Sequence, residues 1–443
     1  MSLSSNADSM DESGSTKTLS GSVSTLMTEL TKIIQLHDQA DEAQMSAINT
    51  VLTDNAKVLT PMIARMWKMV RQNAPAEVGP TLRTTNEKYP YCYVCKVKLW
   101  KDDMRHTTYT GMCWLCGNLN MSKRDFKKNL FGCVAVVTGG RVKIGYETAI
   151  RLLRNGCTVI VTSRFVDDCL ERYQTDSNYS QFKDRLFIYQ LNMLSGENIN
   201  KFIKYVMTNF KKVDFLINNA AQTIKRPKEF FNHLLVKYSE GRDDEKLIVH
   251  RDQTELLLLD ASNKLLIGYD DAEVAKLFPA GELDMFGQQI DLRTNNSWML
   301  EAEEVDIQEL AEVYIINSIG PYMLSTKLRP MMSREGKEFS WIVNVTSMEG
   351  VFAWDAKPSR HPHTNMAKAS LNMFTRTCGQ QFIKSNIVMI CVDTGWNNPQ
   401  QPNSYDFKTP VDCADGAARI LDPIYRELKQ HSVMYKDYKV HPW

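Results

Sequence analysis

Apolar residues recur along this chain in two rhythms, and the change of rhythm divides it. Residues 1–22 are polar and Ser-rich with no periodic apolar set, which predicts a disordered tail. Over residues 23–72 the spacing turns helical, with Leu26, Leu30, Ile33 and Ile34, then Met45, Ile48, Val51 and Leu52, then Met62, Ile63, Met66 and Val70. Thr60-Pro61 reads as an N-cap with proline at the first helical position. Two or three amphipathic helices are expected there, packing on the rest of the chain or offering a face to a partner. A polar linker at about residues 72–88 leads to a cysteine-rich stretch, 88–128, and at Phe131 the pattern changes again. Short β-branched runs then alternate with helical stretches. Strands are predicted at Cys133–Val137, Thr158–Thr162, Leu186–Leu191, Val213–Ile217, Trp341–Val345 and Ile387–Val392, with helices at Thr148–Arg154 and Ile199–Phe210 between them. That alternation, without internal repeats, predicts an α/β class with a parallel sheet covered on both faces over residues 131–443.

Composition narrows the setting. The 443 residues are 43% hydrophobic and 24% charged, with a net charge of +1, so no general affinity for polyanions follows. No apolar run reaches the 18 or so residues of a membrane helix. The N-terminus is acidic and Ser-rich where a signal peptide is basic and then apolar. Of ten cysteines, four cluster between Cys92 and Cys116 and six are scattered among apolar residues, a pattern of reduced thiols. A cytoplasmic protein with no membrane association is expected.

The segment VAVVTGGRVKIGYETAIRLLRNG joins a buried strand, a glycine-bearing turn and a helix. Phosphates must approach backbone N–H groups at a helix N-terminus, and side chains on the turn would block them. Further pieces follow in order. Asn192 comes after the third strand, and Asn218-Asn219-Ala220-Ala221 follows VDFLI. Asn317 lies in EVYIINSIG, Ser347 in NVTSMEG, Lys368 in TNMAKASLNMF and Thr394 in VDTGW. Together these resemble the short-chain dehydrogenase/reductase family. The resemblance implies a Rossmann-type doubly wound fold holding a dinucleotide against Thr138, Gly139, Gly140, Arg141, Lys143, Ile144 and Gly145. It also implies cofactor contacts from Ser163, Asn192, Asn219, Ala220, Ala221, Lys368 and Thr394, and catalytic roles for Asn317, Ser347 and Lys368. Lys143 stands where the family's turn has its middle glycine, and Thr394 where it has proline. The second strand ends Val161-Thr162-Ser163-Arg164 with no carboxylate. A guanidinium there suits a 2′-phosphate, so NADP(H) is the expected cofactor.

The family's catalytic tyrosine falls at Thr364, and no tyrosine lies between Ser347 and Lys368. Three readings compete: a reductase with a substitute proton donor, His363 or His361; a cofactor-binding scaffold or sensor without chemistry; or a reductase borrowing Tyr322 or Tyr405. The departure, with DLRTNNSW and VDTGW, resembles an atypical branch of the family. About 95 residues separate Ala221 from Asn317, an insertion at about 225–312. It includes LIVHRDQTELLLLDASNKLLIGYDD, a candidate hairpin. It reads as a lid with Arg293, Asn296 and Trp298 as candidate liners, or as a surface embellishment or oligomer contact. The small-molecule substrate is not legible, and a homo-oligomer is left open.

Cys92-x-x-Cys95 and Cys113-x-x-Cys116 are 17 residues apart, four thiolates able to close a tetrahedron around a structural Zn²⁺. His106 lies between the pairs as an alternative ligand or an exposed residue. From Arg83 to Lys128 there are ten Lys/Arg against four Asp/Glu, interleaved with Tyr89, Tyr91, Tyr93, Trp100, Tyr109 and Trp114. The rings read first as the module's own core, with nucleic-acid binding as the lesser alternative.

Overall fold

Val134–Val137 (β1), Thr158–Ser163 (β2), Leu186–Gln190 (β3), Phe215–Asn218 (β4), Ser340–Thr346 (β6) and Ile387–Asp393 (β7) are almost wholly buried in the computed structural model, which is why they read as continuous apolar runs. The structure describes residues 90–99, 105–235, 247–248, 270–336, 338–353, 357–402 and 408–443. The expected tail, the amphipathic helices of 23–72, Tyr89, Trp100, nearly all of the candidate hairpin and Tyr405 lie outside these. With Leu247–Ile248 (β5), Met434–Lys436 (β8) and Lys439–His441 (β9), the strands form one sheet ordered β5-β3-β2-β1-β4-β6-β7-β8-β9. Every neighbouring pair is parallel except the β8–β9 hairpin.

Strand residues alternate between two cores. Ala135, Val137, Val159, Val161, Ile188, Ile217 and Val343 face one side; Val136, Ile160, Tyr189, Leu216, Ile342 and Met389 face the other. Helices Lys143–Arg154 (α2) and Cys413–Tyr425 (α8) cover the first face. Gly196–Asn209 (α4), Gly320–Lys327 (α6) and the end of Pro362–Phe382 (α7) cover the second. β1 has β2 on one flank and β4 on the other, so the chain's winding reverses there and opens a crevice at the carboxyl ends of these strands. This is the expected Rossmann-type architecture. Among the described residues no helix is long and apolar enough to cross a membrane.

The cysteine segment folds around Cys92, Leu99, Tyr109, Met112 and Cys113, with Val411 completing its small core. Its helix Trp114–Asp125 (α1) lies on α8. Arg419 of α8, almost wholly buried, ties three regions together. It donates to Asn120 Oδ1 at 2.7 Å on α1, to Asp437 Oδ1 at 3.0 Å in the β8–β9 turn, and to Asp415 O at 3.2 Å.

Candidate functional site

β1 runs into the phosphate turn. Thr138 Oγ1 accepts from the backbone N–H groups of Asn219 and Ala220, both at 3.0 Å, and so locks β4's exit to β1's. Gly139 has φ +68°, and a β-carbon on Gly145 would lie 2.2 Å from Gly139 O, so neither position tolerates a side chain. Lys143 has φ +55°, the left-handed backbone that explains the family's glycine here. It begins α2, whose N-terminus no side chain caps. Its Nζ donates to Asn398 Oδ1 at 3.3 Å and lies 5.2 Å over Phe286, and burial lowers its pKa.

At the end of β2, Ser163 Oγ accepts from Phe165 N at 3.0 Å and turns the chain. Arg164 lies over the rings of Phe231 (4.9 Å) and Phe165 (5.5 Å). Burial, then the charge of Arg141, pull its pKa to about 10, so it stays cationic at neutral pH. Among the described residues no carboxylate pairs with it within 4.0 Å. Arg141 differs: it is bound to Asp168 at 2.7 Å, and Arg172 holds the same oxygen at 2.6 Å. Burial would raise Asp168, but the two guanidiniums outweigh it and hold it at about 2. Asn192 Oδ1 accepts from Leu194 N at 3.1 Å. Arg141, Lys143, Ser163, Arg164 and Asn192, with Gly139, Gly145 and 219–221, line a cleft of about 1220 Å³. The insertion walls its nucleotide end through Asp284, Phe286 and Gln288. Asn296 also lines it and donates to Gln400 O at 3.0 Å. Arg293 and Trp298 do not line it: Arg293 is buried in an ion pair with Asp291 at 2.7 Å, and Trp298 stacks on His361.

Ser347 follows β6 directly. Lys368 on α7 is buried and donates to Val345 O at 2.9 Å, and burial lowers its pKa to about 8. Thr364 lies one turn earlier, 3% exposed, and its enclosed Oγ1 has no hydrogen-bond partner among the described residues. Asn317 sits in a π-helical turn, Ile315–Ile319, where it accepts from Gln222 N at 2.7 Å and donates to Gln222 O at 2.8 Å. Thr394 Oγ1 accepts from Asn397 at 3.1 Å. The two histidines named as substitute proton donors are both buried. His363 is fully buried, with Nε2 3.6 Å from Glu309 Oε1. Burial would raise Glu309, but the nearby His363 ring and Ser297 outweigh it and lower the carboxyl. His361 takes a left-handed backbone (φ +44°), stacks flat on Trp298 at 3.8 Å, and is pushed down by burial. Tyr322 is half exposed and packs edge-on against Phe374. Ser347, His363, Thr364 and Lys368 all fall outside the residues lining the cleft.

The Sγ atoms of Cys92, Cys95, Cys113 and Cys116 lie within 4.8 Å of one another, with Cys95 and Cys113 at 3.7 Å. A tetrahedron with Zn–S bonds of about 2.3 Å has S–S edges of about 3.8 Å, so the donor set fits that ion. Hydrogen bonds from Cys113 and Cys116 bring Cys95 down to about 7, while those from the other three push Cys116 up. Crowded thiols can all ionise only around a cation. His106 is not a fifth candidate. It is buried, and its Nδ1 accepts from Thr108 N and Tyr109 N, both at 3.1 Å. Sequence reasoning missed how the module docks. Tyr109 OH donates to Asp415 at 2.5 Å, Arg124 binds Asp412 at 2.8 Å, Lys123 binds Asp422 at 2.6 Å, and Tyr93 OH accepts from Trp396 N at 2.7 Å. The hydroxyls of Tyr93 and Tyr109 are thus turned to the sheet domain, while Tyr91 and Trp114 remain exposed.

A parallel sheet with a glycine turn at its switch point defines a Rossmann-type dinucleotide-binding protein. A family profile described as short chain dehydrogenase matches residues 133–237. Uncharacterized protein R665 of Acanthamoeba polyphaga mimivirus is 30% identical over 365 residues, 79% of this chain and 74% of that protein. (+)-Neomenthol dehydrogenase of Capsicum annuum is 36% identical over 89 residues, 19% of this chain and 28% of that enzyme. The NADPH-bound carbonyl reductase from chicken fatty liver superposes with a TM-score of 0.46 at 16% identity, covering 72% of this chain and 100% of that one. The chain belongs to the short-chain dehydrogenase/reductase family.

Proposed function

We propose that this protein is an NADP(H)-dependent oxidoreductase acting on a carbonyl or alcohol, with a structural Zn²⁺ held by Cys92, Cys95, Cys113 and Cys116. The carrying observation is Arg164, a cation between aromatic rings at the end of β2 with no carboxylate paired to it among the described residues. A 2′-phosphate would supply the missing counter-charge. The scattered reduced thiols suit a reducing compartment, and we place the protein in the cytoplasm.

Bound NADPH would supply the hydride. Ser347 would orient the substrate oxygen at the end of β6. His361 stacks on Trp298, His363 is fully buried and Tyr322 is half exposed, so the proton falls to Lys368 on α7. The Lys368 ammonium, held at Val345 O, would release its proton to the nascent alkoxide. Lys368, left neutral, regains a proton from water. A second reading, a silent NADP(H)-binding scaffold, is favoured by one observation: Ser347, Thr364 and Lys368 lie outside the cleft lining.

Titration with NADPH and NADH tests the cofactor assignment. NADPH should bind at least about ten-fold tighter, and Arg164→Ala should erase most of that margin. Equal or tighter binding of NADH would refute it. NADPH-dependent turnover of aldehydes or ketones supports the enzyme; binding without turnover supports the scaffold.

A further inference from the structure

We infer that Tyr93 is a positioning residue through which the four-cysteine centre sets the coenzyme site's outer loop, so that metal and coenzyme binding reinforce each other. The inference rests on the NADP(H) reading above and adds a regulatory link to it.

Tyr93 lies inside the first knuckle, between Cys92 and Cys95, and its backbone N donates to Gly111 O at 2.8 Å beside the second pair. Both knuckles therefore fix it. Its hydroxyl leaves the module and accepts from Trp396 N at 2.7 Å. That contact falls in the segment following β7, where Gly395 (φ +77°) brings the backbone so close that an added β-carbon would lie 3.3 Å from the Tyr93 oxygen. Two residues on, Asn398 accepts from Lys143, the first residue of α2 in the phosphate turn. Thr108, Tyr109 and Arg124 of the module also line the cleft, as do Gly139 and Gly145. The module is thus one wall of the cleft, and a run of six residues, 393–398, spans from its knuckle to the phosphate turn.

A metal that draws the knuckles together holds Tyr93 in place, and Tyr93 holds the loop. Linkage then requires that whatever the metal does for coenzyme affinity, the coenzyme does for metal retention. Tyr93→Phe removes the hydroxyl and leaves the ring and both knuckles. With zinc content per chain measured and unchanged, NADPH should bind the full-length variant about five-fold more weakly, the effect of one lost hydrogen bond. In the wild type, saturating NADPH should slow extraction of zinc by a chelator, and in Tyr93→Phe it should do so less; a merely structural tyrosine would leave that difference unmoved. Unchanged NADPH affinity in the zinc-loaded variant, or zinc loss indifferent to NADPH in the wild type, would overturn the inference. A wild type that ignores both coenzymes overturns the cofactor reading and this one with it, whereas normal wild-type binding matched by the variant overturns this one alone.

Discussion

Lys143 shows how one residue can depart from a family pattern and keep its geometry. Its backbone stays left-handed, at φ +55°, where a β-carbon costs about 1 kcal/mol. Lys143→Gly should therefore be more stable than Lys143→Ala by roughly 1 kcal/mol in urea unfolding, since only glycine removes that cost. Equal stability would show that the turn relaxes. Gly145 permits nothing comparable, because the added β-carbon of Gly145→Ala would press on Gly139 O. That variant should lose coenzyme binding by more than about ten-fold in a fluorescence titration. The glycines were legible because their need is local. The neutralisation of Arg141 was not, for Asp168 stands 27 residues away on a different element.

Among the elements, α7 carries the test of chemistry. If Lys368 is the proton source, reduction depends on its ammonium form. The rate should be high below pH 8 and fall as pH rises through about 8, and Lys368→Met should abolish the fall with the activity. A profile flat across that range would exclude it. The central strands were legible because burial on both faces leaves unbroken apolar runs. The β8–β9 hairpin was not: its turn residues Asp437 (φ +46°) and Tyr438 (φ +66°) take left-handed backbone without the Asn-Gly signal that usually announces it. α8 was hidden likewise. Its capping box, Asp412 with Asp415, is plain in retrospect, but Gly416 and Pro423 interrupt the helical pattern. His361 and His363 flank Pro362 with no apolar pattern to announce their burial, yet tertiary packing buries both.

For the whole molecule, the cysteine module is a buttress to the sheet domain, joined by ion pairs, tyrosine hydroxyls and Val411. If the four cysteines hold zinc as proposed, stripping it with a chelator should lower the melting temperature of the full chain and not merely unfold a loose appendage, because binding free energy at such a centre is folding free energy. An unchanged melting temperature would show that the centre contributes nothing to the fold. These contacts span some 300 positions of sequence, so no local pattern could announce them.

That span has a consequence for synthesis. Residues 90–125 leave the ribosome long before Arg419 and Asp437, 299 and more positions behind Asn120, so the module must wait for the partners that seat it. At about 5–20 residues per second the delay is roughly 15–60 seconds. Through that interval the four thiols lack the partners that seat their module, and early capture of a metal ion is what would hold the two knuckles together until the chain closes on itself.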